Sequence, residues 1–101
     1  MYGDTAIIRA LAGRLGERAG EIRDLAATLL HAAERVPWTG LAADAMRAHV
    51  ARRVVALEHC ARLHEQAAEA LERHAREVDR LTALLTGPLG TVVDGALDLL
   101  P

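Results

Sequence analysis

The segment Val36-Pro37-Trp38-Thr39-Gly40 separates two long stretches that are rich in Ala, Leu and Arg. Pro37 disfavours helical geometry at the residue before it and lacks a backbone N–H donor, so a preceding helix should end near Arg35. Thr39 can cap a following helix through its hydroxyl group. Trp38 would then stand just before the cap and pack on the first helical turn. The segment therefore predicts a bend between two helices.

The stretch before the bend repeats its apolar residues every seven positions. Asp4 can cap this helix. Large residues occupy the a and d positions of a heptad seam, which is interrupted by Arg18. These residues are Ile8, Leu11, Leu15, Ile22, Leu25, Leu29 and Val36, with the smaller Ala32 at the last d position. A parallel stripe consists of Ala12, Ala19, Ala26 and Ala33. The apolar face is therefore wide, and its alanine side would allow another helix to approach closely.

The stretch after the bend has the same pattern from about Leu41 to Leu85, and Thr86-Gly87-Pro88 ends it. Arg53 and His74 interrupt the seam. The a and d positions hold Met46, Val50, Leu57, Cys60, His64, Ala67, Leu71, Val78, Leu81 and Leu85, and the small-residue stripe is Val54, Ala61, Ala68 and Ala75. The sequence thus predicts an all-α fold, an antiparallel two-helix hairpin over residues 1–86. Residues 87–101 would form an apolar C-terminal tail or a short third helix.

The composition argues against several functions. The chain has 101 residues, of which 51% are hydrophobic and 26% charged, and its net charge is −2. Arg residues alternate with acids and stacking aromatics are missing, so we expect no nucleic-acid binding. A glycine-rich phosphate loop and a His-Glu-x-x-His motif are absent, so we expect neither catalysis nor a cofactor. We also expect no Sec-type signal peptide, because no basic segment followed by an apolar one opens the chain.

Two helices with wide apolar faces cannot surround a core by themselves. Counting back from the bend pairs residues whose numbers sum to about 77, which leaves Val78, Leu81, Leu84 and Leu85 uncovered. We therefore expect two hairpins to pair into a four-helix-bundle dimer. The expected partner-binding residues are Ile8, Leu11, Leu15, Arg18, Ile22, Leu25, Leu29, Val50, Val54, Leu57, His64, Leu71, Val78, Leu81 and Leu85.

The central Trp38-Thr39-Gly40 between two heptad helices resembles the WXG100 (ESAT-6-like) family over about Met1 to Leu85. The resemblance implies that the hairpin dimerises with itself or with a second WXG100-like protein. It also implies export by a type VII (ESX) secretion system, without a cleaved signal peptide, from the cytoplasm to the cell surface or medium. Trp38, Thr39 and Gly40 would then form the turn and part of the surface that the secretion machinery reads.

The chain departs from that family at the second part of the export signal. Family members or their partners carry Tyr-x-x-x-Asp/Glu near the end of helix two. Here Arg73 and Ala75 stand at the tyrosine distance from Glu77 and Asp79. Either a partner supplies the signal, or the chain is a WXG-like protein with another role.

Other interpretations of the sequence remain open. The chain could be a cytosolic helical adaptor or a chaperone-like subunit for another secreted protein. Membrane contact rests only on the apolar segment Leu89–Leu100. Cys60 and His64 share a helix face and could offer two ligands to zinc, but zinc sites usually need at least three, so we expect no metal. Arg18 within the seam would either extend its guanidinium to solvent at the edge of the seam or select a partner that carries an acid.

Overall fold

The computed structural model describes residues 4–86 and contains two helices, α1 over Asp4–Arg35 and α2 over Leu41–Thr86. They pack antiparallel along their length as an extended hairpin. The predicted all-α hairpin is therefore confirmed, together with the end of helix one at Arg35 and the start of helix two at Leu41. The predicted tail or third helix over residues 87–101 lies outside the described residues.

The hairpin is a thin rod rather than a compact domain. Its radius of gyration is 24.2 Å, whereas a compact domain of about 100 residues has a value of about 13 Å. The cross-section of 17 × 15 Å corresponds to two helices side by side. Over residues 4–86, each helix thus has one neighbour, and no second layer covers the hairpin.

The core of the hairpin consists almost entirely of alanine. Most of its buried residues lie on the small-residue stripes, namely Ala12, Ala19, Ala26 and Ala33 from α1 and Val54, Ala61 and Ala75 from α2. Thr5 and Ala43, which is at an a position of α2, are also buried. Because alanine has a short side chain, the helix axes can approach to the lower end of the usual separation, about 8 Å. At that separation the large a residues are half-buried beside the seam. The contact within the chain is therefore centred on the alanine stripes, and the large residues flank it.

Two ion pairs define how the helices are aligned. The Arg9 guanidinium lies 2.7 Å from the Asp79 carboxylate, and Arg23 pairs with Glu65. In both pairs the residue numbers sum to 88. Thr5 also hydrogen-bonds Asp79, so the start of α1 lies near Asp79.

The sequence-based alignment, with the start of helix one opposite Arg73, was wrong because it assumed a tight turn. Residues 36–39 form no regular structure. The chain there runs alongside the first turns of α2, so that Arg47 lies beside Val36. The uncovered end of α2 is correspondingly shorter than predicted: Val78 is half-buried, while Leu81, Leu84 and Leu85 remain 50%, 51% and 55% exposed.

Candidate partner-binding face

The bend is held by one arginine from α2. The Arg47 Nη2 atom donates to the Val36 carbonyl oxygen at 2.8 Å and to the Trp38 carbonyl oxygen at 2.9 Å. These carbonyls lie beyond the end of α1 and have no helical partner of their own. Because one guanidinium binds both, the extended connection is fixed against the second turn of α2. Nothing local in the sequence distinguishes Arg47 from the other arginines of α2, so its role at the bend was not predicted.

Gly40, rather than Thr39, occupies the cap position of α2. The Gly40 carbonyl oxygen accepts the first helical hydrogen bond from the Asp44 N–H at 3.0 Å. The φ angle of Gly40 is +103°, a conformation that L residues rarely adopt, while a Cβ there would meet no atom within 4 Å. Backbone conformation, not space, therefore requires glycine at this position. The prediction of a Thr39 cap was wrong by one residue.

The tip of the hairpin presents large apolar side chains to solvent. Trp38 is 63% exposed and Leu41 is 89% exposed. The predicted packing of Trp38 on the first turn of α2 was therefore wrong, because Arg47 holds the backbone of Trp38 and leaves its ring outside. Trp38 is a turn residue as predicted, and its role in export remains a prediction.

One side of the hairpin carries the large residues of both helices, and we call the a and d positions from Ile8 to Leu85 the apolar face. Antiparallel helices that meet along equivalent stripes place equivalent flanks on the same side. Leu11 and Leu25 of α1 are 43% and 58% exposed, and Leu81 of α2 is 50% exposed. Near the bend, both helices line one open hollow, whose residues are Leu29, Ala32, Ala33, Val36, Met46 and Val50. The face is thus continuous across the two helices.

The predicted partner-binding residues lie on this face with one exception. Val54 is only 8% exposed, because it belongs to the small-residue stripe inside the hairpin. It is therefore a core residue, and the prediction that it contacts a partner was wrong. Arg18, Leu11, Leu25, Leu81 and Leu85 are exposed. The half-buried members are Ile8, Leu15, Ile22, Leu29, Val50, Leu57, His64, Leu71 and Val78.

The opposite side of the hairpin, which we call the polar side, is closed by the two ion pairs between the helices. The pKa of Asp79 lies below its ordinary value, chiefly because Arg9 hydrogen-bonds the carboxylate, and the Thr5 hydroxyl adds a second bond. Partial burial opposes this shift. Arg23 and Glu65 repeat the arrangement two heptads away. The two sides therefore differ in chemistry.

The basic residues that interrupt the apolar face differ in their surroundings. The Arg18 Nη1 atom lies 3.7 Å from the Glu21 carboxylate, and both side chains are about two-thirds exposed. Arg53 and His74 are exposed. His64 is half-buried and closer to the seam.

Cys60 and His64 lie side by side on α2 and would offer at most two ligands to a metal ion. The Cys60 Sγ atom is 3.7 Å from His64 Nδ1, and that nitrogen is 2.8 Å from the Cys60 carbonyl oxygen. A carbonyl oxygen only accepts, so Nδ1 carries the proton and donates. Among residues 4–86, no cluster of three or more potential metal ligands occurs.

Neither helix in the described part of the chain has the length and apolarity required to span a bilayer.

The two possible positions for the export tyrosine differ sharply in the structure. Ala75 is fully buried in the seam, and Asp79 is engaged by Arg9. Arg73 and Glu77 face solvent, and Arg80 binds the Glu77 carboxylate at 2.5 and 2.7 Å. Only the pattern that begins at Arg73 is therefore accessible.

No protein-family model matches the chain, and no curated protein or solved structure matches it.

Proposed function

We propose that the chain is a small secreted partner-binding protein of a type VII (ESX) secretion system and a member of the WXG100 (ESAT-6-like) family. It acts by pairing with itself or with a second WXG100-like hairpin into a four-helix bundle. The observation that supports this proposal best is the apolar face, which follows both helices and is open on one side. No catalytic activity and no cofactor are part of the proposal.

The size of the apolar face suits a stable protein partner. From Ile8 to the end of α1 at Arg35, the face runs about 40 Å at 1.5 Å per residue. With the 17 Å width of the hairpin, it covers roughly 700 Å², which is close to the ~800 Å² that each partner buries in a standard interface. Continuous apolar patches of this size on soluble proteins commonly mark interaction sites. The face is therefore large enough for a second hairpin.

The bend supports the export part of the proposal. Trp38 is exposed on a backbone that Arg47 holds in place, and Gly40 supplies the unusual φ angle that starts α2. Secretion machinery that recognises Trp38, Thr39 and Gly40 would meet a preformed surface. The partner chain would carry the missing tyrosine, and the complex would move from the cytoplasm to the cell surface or medium.

A cytosolic adaptor or chaperone-like subunit for another secreted protein is the second candidate. It is favoured by the accessible segment from Arg73 to Glu77, which lacks the tyrosine of the export pattern. In that case the apolar face would bind the exported protein, and the chain itself would stay inside the cell.

Liposome binding would test the separate possibility of direct membrane contact.

Export is tested by expressing the chain, with its genomic neighbours, in an ESX-bearing actinobacterial host and assaying the culture filtrate. We expect the protein in the filtrate, and we expect Trp38→Ala to abolish export while leaving the melting temperature unchanged. Retention of the wild-type chain in the cytosol, bound to an exported protein, would instead support the adaptor.

Pairing is tested by sedimentation of the protein with its co-purified partner. Leu25→Glu places a charge on the apolar face, whereas Val55→Glu places the same charge at a similarly exposed apolar residue elsewhere, since Leu25 is 58% and Val55 63% exposed. We expect only Leu25→Glu to dissociate the complex. Equal effects of the two substitutions would exclude the apolar face as the interface.

A further inference from the structure

A thiol and an imidazole lie together in the middle of the apolar face. Cys60 is at a d position and His64 at the next a position, one turn apart on α2, and both side chains are half-buried. The Cys60 Sγ atom is 3.7 Å from His64 Nδ1. We infer that Cys60 and His64 form half of a structural zinc site, which a second copy of this chain completes. The inference rests on the proposed function and goes beyond it by specifying a metal and self-pairing.

The His64 ring is held in the tautomer that a metal ligand needs. Its Nδ1 atom donates to the Cys60 carbonyl oxygen at 2.8 Å. The other ring nitrogen, Nε2, therefore keeps a free lone pair. Histidine ligands of metals ordinarily donate their second N–H in this way, often to a backbone carbonyl, and the bond fixes the ring. The imidazole can thus bind zinc through Nε2 without a change of tautomer.

One chain alone supplies too few ligands for zinc. Structural zinc sites are almost always tetrahedral and are often built from thiolates and imidazoles. A two-fold axis that passes through the ion would bring Cys60 and His64 of a second copy to the same metal, because the axis makes the two copies equivalent. The four ligands would then be two thiolates and two imidazoles, a set that zinc commonly takes. The site is therefore incomplete without the second copy.

The position of the pair on α2 suits such an axis. When two copies pair face to face, the axis lies in the interface, and an axis that runs across the rod places α2 antiparallel to its own copy. The pair is centred on position 62, and the midpoint of α2, which spans Leu41–Thr86, lies between positions 63 and 64. The two α2 helices would therefore overlap over almost their whole length.

The rest of the apolar face accepts this arrangement. Facing residues of the two α2 helices have numbers that sum to 124, as those of the two ligands do. Leu57 of each copy would face Ala67 of the other, so a large side chain meets a small one. Arg53 would face Leu71 and would not oppose a basic group. The alignment of the helices brings Leu25, which is 58% exposed, to the level of the axis, where it would meet its own copy.

The zinc ion would make self-pairing depend on metal. Zinc binds the thiolate form of cysteine, so the two thiols lose their protons when the ion binds. Because the complete ligand set exists only in the pair, zinc would shift the equilibrium from separate chains toward the dimer. The apolar residues around the ion would supply the remaining contact area. Metal sites between facing helices are a common feature of helical bundles.

The test measures self-association of the full chain in Zn²⁺ and in a chelator, with a non-thiol reductant present to keep Cys60 a thiol. Sedimentation gives the dissociation constant of the dimer, and native mass spectrometry gives the number of ions per chain. Co²⁺ in place of Zn²⁺ reports thiolate ligands and tetrahedral geometry through its absorption spectrum. The variants are Cys60→Ser and His64→Gln. The matched control is His59→Gln, which removes an exposed imidazole off the apolar face.

We expect one zinc ion per two chains. The dimer should be at least about tenfold tighter in Zn²⁺ than in chelator, which is the change that ~1.4 kcal/mol produces. Cys60→Ser and His64→Gln should abolish this difference, whereas His59→Gln should keep it. Circular dichroism in chelator shows whether each variant is folded. The comparison of wild type in Zn²⁺ and in chelator needs no variant, so it tests the inference even if a substitution unfolds the chain.

Equal dimerisation of wild type in Zn²⁺ and in chelator would overturn the inference but leave the proposed pairing intact. Binding of one ion per chain, or tight zinc binding by folded Cys60→Ser, would also overturn it, since the ligands would then be others. A monomer under every condition would overturn it as well. In that case only pairing with a second protein would remain of the proposed function, and sedimentation with the co-purified partner tests that separately.

Discussion

In this hairpin the small alanines are buried and the large leucines are exposed, which is the opposite of an ordinary globular core. The difference can be measured by substitution. Ala61 is fully buried between the helices, whereas Leu25 is 58% exposed on the apolar face. We predict that enlarging Ala61 to leucine destabilises the isolated hairpin more than truncating Leu25 to alanine does. In an ordinary globular core the order is the opposite, because a buried Leu→Ala change costs about 2–5 kcal/mol.

The magnitudes follow from the burial of each side chain. Ala61→Leu inserts a branched side chain where the two backbones are closest, and such overpacking costs about 1–3 kcal/mol. Leu25 has only 42% of its surface covered, the complement of its exposed 58%. Full burial of leucine contributes about 1.5–3 kcal/mol, so its truncation should cost roughly 1 kcal/mol. The higher helix propensity of alanine offsets part of that loss.

The assay is urea and thermal unfolding followed by circular dichroism, at concentrations where sedimentation shows a monomer. Each kcal/mol should move the melting temperature by about 4–8 °C in a domain of this size. Ala70→Leu is the control, because Ala70 is exposed on α2 and shares the helix propensity change. If Ala61→Leu melts like Ala70→Leu, or if Leu25→Ala is the most harmful of the three, the alanine seam is not the core of the free chain.

Four further substitutions test a helix interior, the bend and one ion pair between the helices. Gly16→Ala should stabilise the hairpin by about 1 kcal/mol of helix propensity, because a Cβ there meets no atom within 4 Å. Gly40→Ala should destabilise it by about 1–2 kcal/mol, because its φ is +103°; equal effects in urea melts would contradict both assignments. Asp79→Asn should lower stability at neutral pH. Since Arg9 and Thr5 depress the pKa of Asp79 in the folded chain, its contribution is complete above the ordinary pKa of aspartate and disappears as pH falls through the folded value. The gap between wild type and Asp79→Asn should therefore close in acid, and a constant gap in pH-dependent melts would rule this out. Arg47→Met should cost about 1–3 kcal/mol by removing charge-assisted bonds to two carbonyls, and unchanged unfolding would show that the bend holds itself.

Much of the fold follows from local chemistry. Pro37 predicted the end of α1, and the heptad period predicted two helices with wide apolar faces. The period could not show which stripe lies inside, because the alanine and leucine stripes repeat with the same spacing. The choice depends on how closely two helices can approach when no third layer is present, and that is a property of the assembled pair.

The bend was predicted in place but not in detail. Arg47 is eleven positions from Val36, so no local rule connects them. The sequence offered both Thr39 and Gly40 as the residue that caps α2, and it did not show which of them does so. The ion pairs were within reach of the sequence. Arg9 and Arg23 share one heptad position, and Glu65 and Asp79 share the equivalent position on α2, so the opposite signs were visible once the alignment was known.

The seven-residue repeat also allows a second alignment of the two helices with similar contacts. Acids recur every seven residues along α2 at Glu58, Glu65, Glu72 and Asp79. Sliding α2 by one heptad would bring Glu72 to Arg9 and Glu58 to Arg23, and small residues would again meet small residues along most of the seam. The seam therefore does not choose between the two registers. The connection does, because the slipped hairpin needs a tight turn where Arg47 and Gly40 hold an extended one. If the contacts of Arg47 and the conformation of Gly40 were lost, the connection could tighten and α2 could slide by one heptad. The free end of α2 would then be longer by about 10 Å, which is seven residues at 1.5 Å each. A partner would meet a different set of side chains from the same sequence.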